Sequence, residues 1–384
     1  MVRVLFCSTW GYGHVFPMVP LAQACLAAGH EVLWVSNEPA RPLVEAAGIM
    51  FAAAGLSTQG VQDVVQRNRS HVQRLAPPDR AAFAYPNMFG AWAAPAMTAD
   101  LLPLASSWRP DVLVHESAEL ASPLVGTVLG VPSVTHSYGG AVPPPFLTEA
   151  GDRLASLWSQ HGQGLPPYSG CFQSGYVDIC PPSVQPIGHS HIPIRHPMRP
   201  VSWTGPPPAL LPPYLRRDDR PLVYLTLGTV QSRAPVLRTA IDILSGLSVR
   251  VLAAIGPDGD PADFGPQPPN VTVERWVPQS RVLEHCDVVV SHAGSGTFLG
   301  SLAAGLPQLC LPQAADQFRN SDAGVRCGAA LAMHPDEATG DEITLSVLRL
   351  LREESFRGAA ADIATEVASM PTPAHLVGVL SALT

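Results

Sequence analysis

VRVLFCSTWGYGHVFP (residues 2–17) runs from an apolar stretch through two closely spaced glycines to a histidine. VRVLFC reads as a strand buried on both faces. After the loop, a helix from about Met18 stops at Gly29, as glycine commonly ends a helix. Strand, glycine turn and helix in this order open a Rossmann-like α/β unit. Two features break the dinucleotide fingerprint: Phe16 replaces its third glycine, and His14 stands where a phosphate needs bare backbone. A nicotinamide dehydrogenase, with Glu38 after the second strand as its ribose partner, is disfavoured on both counts.

The alternation continues outward from that loop. EVLWVS (31–36), IMFAAA, DVLVHES (111–117) and VPSVTH read as further strands, with helices between them, including ELASPLVGTVLG. The middle changes character, with prolines clustered at 143–145, 166–167, 181–182, 206–208 and 212–213. WTGPPPALLPPYLRRDDR (203–220) reads as a linker stiffened by polyproline segments. Strand and helix then alternate again through RPLVYLTLGT (220–229), VRVLAAIG, VTVERW, DVVVSHAG (287–294), PQLCLP and ALAMHP. The predicted domains are 1–203, a linker over 204–219, 220–365, and a C-terminal helix at 366–384 packing back on the first domain. The fold class is α/β, with two doubly wound Rossmann-like domains facing a cleft.

Composition bounds the chemistry. The 384 residues, 46% of them hydrophobic, suffice for two cores. All 23 basic residues are arginine. Without lysine there is no Walker-A phosphate clamp, no Schiff base and no lysine-held pyridoxal phosphate. The net charge of −8, with no basic stripe, speaks against nucleic acid. Seven scattered cysteines, never spaced C-x-x-C, read as reduced core residues. No run of about 18 apolar residues is present, so no membrane span is expected. The start reads as a strand rather than a signal peptide, and the expected location is cytoplasmic.

The second half carries the more specific pattern. HAGSGT (292–297) joins a strand to a helix. Its small residues admit a ligand close to the backbone, and the helix N-terminus favours a diphosphate. Gly294, Ser295, Gly296 and Thr297 form the cradle, with His292 as a side-chain donor. The LGT turn, Gly228 and Thr229, adds donors. Trp276, sixteen residues before His292 in RWVPQ, suits base stacking, with Val277 beside it and Gln279 to bond the base edge. Asp316 and Gln317 in LPQAADQFRN suit sugar hydroxyls.

In this order and spacing, STWGYGHVFP, LTLGT, WVPQ, HAGSGT and PQAADQFRN resemble family 1 glycosyltransferases of the GT-B fold, in particular the bacterial enzymes of natural-product and antibiotic biosynthesis. The resemblance spans nearly the whole chain. It implies that His14 is the general base that takes a proton from the acceptor hydroxyl, with displacement and inversion at the sugar's anomeric carbon. It implies a carboxylate partner at Glu116, where many relatives have Asp. Asp111 opens the same strand and points away from its carboxyl end, and Glu119 is the competitor. Uridine-diphosphate users often carry a glutamate eight residues after the box histidine; here that position is Gly300, which favours dTDP-sugars. The expected partners are therefore a nucleotide-sugar donor and an apolar acceptor, with no cofactor and no metal. Trp10, Tyr12, Phe83, Met88, Trp92, Tyr138 and Phe146 are the candidate acceptor contacts. The alternatives are a UDP-sugar-dependent transferase, a nucleotide-sugar epimerase of the same fold, and a non-catalytic binding protein. Asp258-Gly-Asp260 spells a metal clamp in a turn-rich loop, where solvated carboxylates are expected; His189, His191 and His196 lack ligand spacing.

Overall fold

The computed structural model describes residues 1–206, 210, 212–215, 219–228, 235–334 and 339–384, without the side chains of Pro78 and Pro235. The chain divides into two units: Met1–Cys180 with Ile187–Val201 and Met370–Thr384, and Pro181–Pro186 with Ser202–Ser369.

In the first unit, β1 (Arg3–Cys7), β2 (Glu31–Ser36), β3 (Met50–Ala53), β4 (Val112–Glu116), β5 (Ser133–His136), β6 (Tyr176–Asp178) and β7 (Arg195–Pro197) form one sheet. Its order is β3-β2-β1-β4-β5-β6-β7, and every pair is parallel. The apolar runs of β1 and β4 are buried on both faces because helices cover them. Leu5, Cys7, Val35, Met97, Leu101, Leu113 and Val125 share one core cluster. Chain order reverses between β1 and β4, so the loops after these two strands emerge side by side, at the place where such sheets bind ligands.

The second unit repeats the plan. β8 (Leu222–Thr226), β9 (Arg250–Ala254), β10 (Val271–Glu274), β11 (Val288–Ser291), β12 (Gln308–Cys310) and β13 (Ala330–Ala332) run in the order β10-β9-β8-β11-β12-β13, again all parallel. The reversal lies between β8 and β11, with Thr226 beside Ser291. The two units also share a device at the other end of the sheet. Asp111 accepts from the Arg3 N–H at 2.7 Å, and Asp287 accepts from the Leu222 N–H at 2.8 Å. Asp111 thus ties the amino ends of β4 and β1 together, away from the ligand end.

Four features differ from the sequence reading. The proline-rich middle holds two more strands, β6 and the edge strand β7; Pro197 is tolerated in β7 because that strand lies at the sheet edge. Prolines 144 and 145 open a 17-residue helix, Pro144–Gln160, where a missing N–H costs nothing. Pro181–Pro186 belongs with the second unit, and the presumed linker buries Leu215 in that unit's core. Residues 366–369 complete the helix Glu354–Ser369 of the second unit. The C-terminal helix Pro373–Ser381 lies on the helix Val19–Ala27 in the first unit, and Arg199 N–H donates to Pro371 O at 2.8 Å. Residues 85–93 form a widened π-helical segment, with Pro86 at its start and Pro95 just beyond it. Neither proline can join an ordinary i→i−4 ladder.

Candidate functional site

In the first unit the loop after β1 turns through Gly11, whose φ of +102° and ψ of 153° only glycine adopts freely. Gly13 has no such requirement, since a Cβ there meets nothing within 4 Å. The turn lifts His14 onto a short helix, Tyr12–Val15, beside the carboxyl end of β4. There its Nδ1 lies 3.1 Å from Oε1 of Glu116, whose side chain is fully buried while His14 is 24% exposed.

The Glu116 carboxylate is held from several sides. Oε1 accepts from the Thr9 hydroxyl at 2.7 Å and the Thr9 N–H at 3.3 Å, and Oε2 accepts from the Ala118 N–H at 2.6 Å. Burial alone would raise this carboxyl; the His14 imidazole and these donors outweigh it and hold it below the usual range. Glu119, the competitor, is turned elsewhere. It accepts from the N–H groups of Ala121 at 2.9 Å and Ser122 at 3.2 Å, capping the helix Ser122–Leu129. Burial, with Glu116 nearby, pushes Glu119 up to about 7.

That displacement predicts a pH signature. The folded pKa exceeds the ordinary 4.5, so the stability tied to the neutral acid is lost as pH rises from 4.5 through about 7. At pH 8 the ionised form costs on the order of 3 kcal/mol. Glu119→Gln keeps an acceptor oxygen for one of the two N–H groups and removes the titration. Its melting temperature relative to the unsubstituted protein is expected to climb between pH 4.5 and 7 and level off above. A pH-independent difference in thermal melts would contradict this. The neighbouring His115 and His136 slope the other way. Burial lowers both to about 4, so their contribution is lost as pH falls below 6.5.

Aromatic rings surround the imidazole. Phe89 and Tyr138 meet His14 edge-on at 5.6 and 5.5 Å between ring centres. Trp10 lies 6.0 Å from Phe89, and Tyr85 links Phe89 at 5.4 Å to Phe146 at 6.0 Å. Trp10, Tyr138 and Phe146 therefore join one cluster with His14, while Tyr12 packs on Phe16. Phe83 and Trp92 are placed differently: Phe83 stacks on His71 at 4.2 Å, and Trp92 carries the Arg67 guanidinium at 5.1 Å. Met88 is half-buried on the π-helical segment. Tyr85 and Phe89 join this cluster although neither is among the candidate acceptor contacts; the position of Phe89 on the widened turn is a tertiary outcome.

In the second unit the loops after β8 and β11 enclose His292. A Cβ on Gly228 would meet its Cε1 at 2.6 Å, and one on Gly294 would meet its Nε2 at 2.5 Å. Burial lowers the imidazole to about 4, against the pull of Asp316 and the Thr226 backbone, so at neutral pH it is an uncharged donor. Gly294 precedes the helix Ser295–Ala303, which no side chain caps. Its first N–H groups therefore have no intrahelical partner. Gly296 is exposed there.

The neighbouring side chains have partners of their own. Thr297 donates its hydroxyl to Gln279 Oε1 at 3.0 Å, which orients that amide. Val277 is buried in the core with Tyr224 and Leu283, so its side chain is unavailable to a nucleotide. Trp276 remains 37% exposed. Asp316 Oδ2 accepts from the Ser295 hydroxyl at 2.5 Å, leaving Oδ1 for a ligand. Gln317 Oε1 accepts from the N–H groups of Gln313 and Ala314 at 2.7 and 2.9 Å, which fixes the orientation of its amide. A Cβ on Gly300 would meet Leu283 at 3.2 Å and Gln279 Nε2 at 3.7 Å, so packing also favours a small residue there. Thr229 lies outside the described residues.

Among the described residues no group of three or more His, Cys, Asp or Glu could hold a metal ion. Asp260 caps a helical turn by accepting from the Ala262 N–H at 3.0 Å. No described helix is long and apolar enough to cross a membrane.

Residues 23–228 and 239–383 match the N-terminal and C-terminal domains described as erythromycin biosynthesis protein CIII-like. The L-demethylnoviosyl transferase of Streptomyces niveus is 34% identical over 99% of this chain and 98% of its own length. The solved structure of the glycosyltransferase SsfS6 of Streptomyces sp. SF2575, complexed with thymidine diphosphate, is 27% identical with a TM-score of 0.81, covering 100% of both chains. Spinosyn rhamnosyltransferase SpnG complexed with spinosyn aglycone is 27% identical with a TM-score of 0.81, covering 99% of this chain and 100% of that one.

Proposed function

The chain belongs to the erythromycin biosynthesis protein CIII-like family and is a glycosyltransferase of the GT-B fold, and from that premise we propose its donor, acceptor and base. It transfers a deoxysugar from a dTDP-sugar to a hydroxyl of an apolar natural-product aglycone, with inversion. The observation that carries this reading is the contact of His14 Nδ1 with buried Glu116 at 3.1 Å. With the carboxylate accepting from Nδ1–H, the lone pair sits on Nε2, the nitrogen needed for a general base.

The step is a displacement. The acceptor oxygen forms a bond to the anomeric carbon and gives its proton to His14 Nε2. The bond from that carbon to the diphosphate breaks, and its electron pair leaves with the diphosphate oxygen. The N-terminus of the helix Ser295–Ala303 and the neutral His292 suit that developing charge. Asp316 Oδ1 and the Gln317 amide suit the sugar. The rings of Phe89, Tyr138 and Trp10 suit an apolar acceptor, in keeping with the aglycone complex of the similar SpnG. Gly300, without a carboxylate for a 2′-hydroxyl, supports dTDP, as does the thymidine diphosphate complex of the similar SsfS6.

Calorimetric titration tests the donor. dTDP is expected to bind about tenfold tighter than UDP, the worth of one lost hydrogen-bonding arrangement. UDP binding as tightly or tighter would overturn the donor, and binding of NAD alone would overturn the nucleotide-sugar site.

A further inference from the structure

We propose that Asn320 is a positioning residue that sets the Asp316 carboxylate in register with the diphosphate loop 292–297. The inference rests on the functional reading above. Asn320 lies one helical turn after Asp316 and is only 3% exposed. Its amide nitrogen lies 3.0 Å from Asp316 Oδ2, 3.1 Å from Ser295 Oγ and 2.9 Å from Ala293 O. Ser295 Oγ itself donates to the same Asp316 oxygen. Asn320, Asp316 and Ser295 thus close a ring of hydrogen bonds between the loop after β12 and the loop after β11.

The third acceptor matters for a separate reason. Ala293 sits at a φ of +60°, a left-handed conformation unusual for alanine. Such a conformation persists only when its surroundings hold it. The Asn320 bond to its carbonyl supplies one such restraint, at the residue between His292 and Gly294. One buried amide therefore fixes which Asp316 oxygen is left for the sugar, while the phosphate-facing backbone keeps a further restraint, the Ala293 N–H bond to Ser291 Oγ at 3.0 Å. These two loops would grip the donor on either side of the bond that breaks. A small error in their register misplaces the anomeric carbon without removing any group that touches the nucleotide.

The test compares dTDP with dTDP-glucose as probes, by calorimetry, on the full chain. Titration of the unsubstituted protein with dTDP comes first. Absence of binding there overturns the functional reading itself and is thereby distinguished from failure of the coupling. Asn320→Ala is expected to leave dTDP affinity within about threefold while weakening dTDP-glucose roughly tenfold, because only the sugar contact runs through Asp316. Asp316→Ala is expected to weaken dTDP-glucose similarly, and the double variant is expected to be no weaker than Asp316→Ala alone. Thermal melts report folding, and Asn320→Asp, which sets a second carboxylate against Asp316, supplies a second variant with the same expected split. Equal loss of both ligands, additive losses in the double variant, or an unsubstituted protein that does not distinguish the two ligands would each overturn the coupling.

Discussion

His14→Ala is expected to lower turnover by about 10²–10⁴-fold, the range for loss of a general base, while dTDP affinity stays unchanged. The split follows from where the residues lie. His14 stands on the loop after β1 in the first unit, whereas the residues proposed to hold the nucleotide belong to the second. The variant leaves Glu116 buried with its bonds from Thr9 and Ala118 intact. It removes the imidazole that lowers the carboxyl, so some stability is lost as well. Thermal melts therefore accompany the rate measurement, and Glu116→Gln serves as companion. An amide in place of the carboxylate no longer fixes the Nδ1–H tautomer, so turnover falls while the ring remains. Undiminished turnover by His14→Ala under saturating donor and acceptor would end the assignment.

Gly294→Ala is expected to weaken dTDP binding by roughly 10–100-fold, the effect of displacing a charge-facing hydrogen-bond donor. The added methyl would lie 2.5 Å from His292 Nε2, closer than any real Cβ contact. Gly228 approaches the same edge of the ring, since a Cβ built there would lie 2.6 Å from His292 Cε1 and 2.7 Å from Nε2. Gly228→Ala meets the same ring at 2.6 Å and adds a second penalty, since its φ of +74° suits glycine. The cause is checked by pairing. His292→Ala with Gly294→Ala is expected to bind dTDP no worse than His292→Ala alone, since removing the ring removes the clash. Additive losses in that titration would show that Gly294 acts through the backbone of the loop rather than through the imidazole.

Much of this was legible because local patterns and tertiary packing agree. The uninterrupted apolar runs of β1, β4, β8 and β11 are strands covered on both faces, and their short length and valine-rich content identify them. β6 and β7 were hidden because three-residue strands among prolines carry no period. Phe83 and Trp92 were grouped with the other candidate rings because aromatic composition does not say which neighbour a ring meets; here these are His71 and Arg67. Val277 was assigned to the nucleotide by its place in a motif, yet the core claims its side chain.

The sequence by itself determined the two doubly wound halves, the loops at their switch points and the residue types in those loops. Covalent order dictates these, because a parallel sheet places the loop after each strand at the same end. The tertiary structure decided which carboxylate faces His14. Glu116 and Glu119 are three residues apart and chemically alike. Only the packing of β4 against β1 sets Glu116 beside the imidazole and turns Glu119 to cap a helix. It also decided that one buried amide, Asn320, bridges two loops more than twenty residues apart in the chain. That contact depends on how the helix after β12 packs beside β11, and no spacing in the sequence encodes a distance across a sheet.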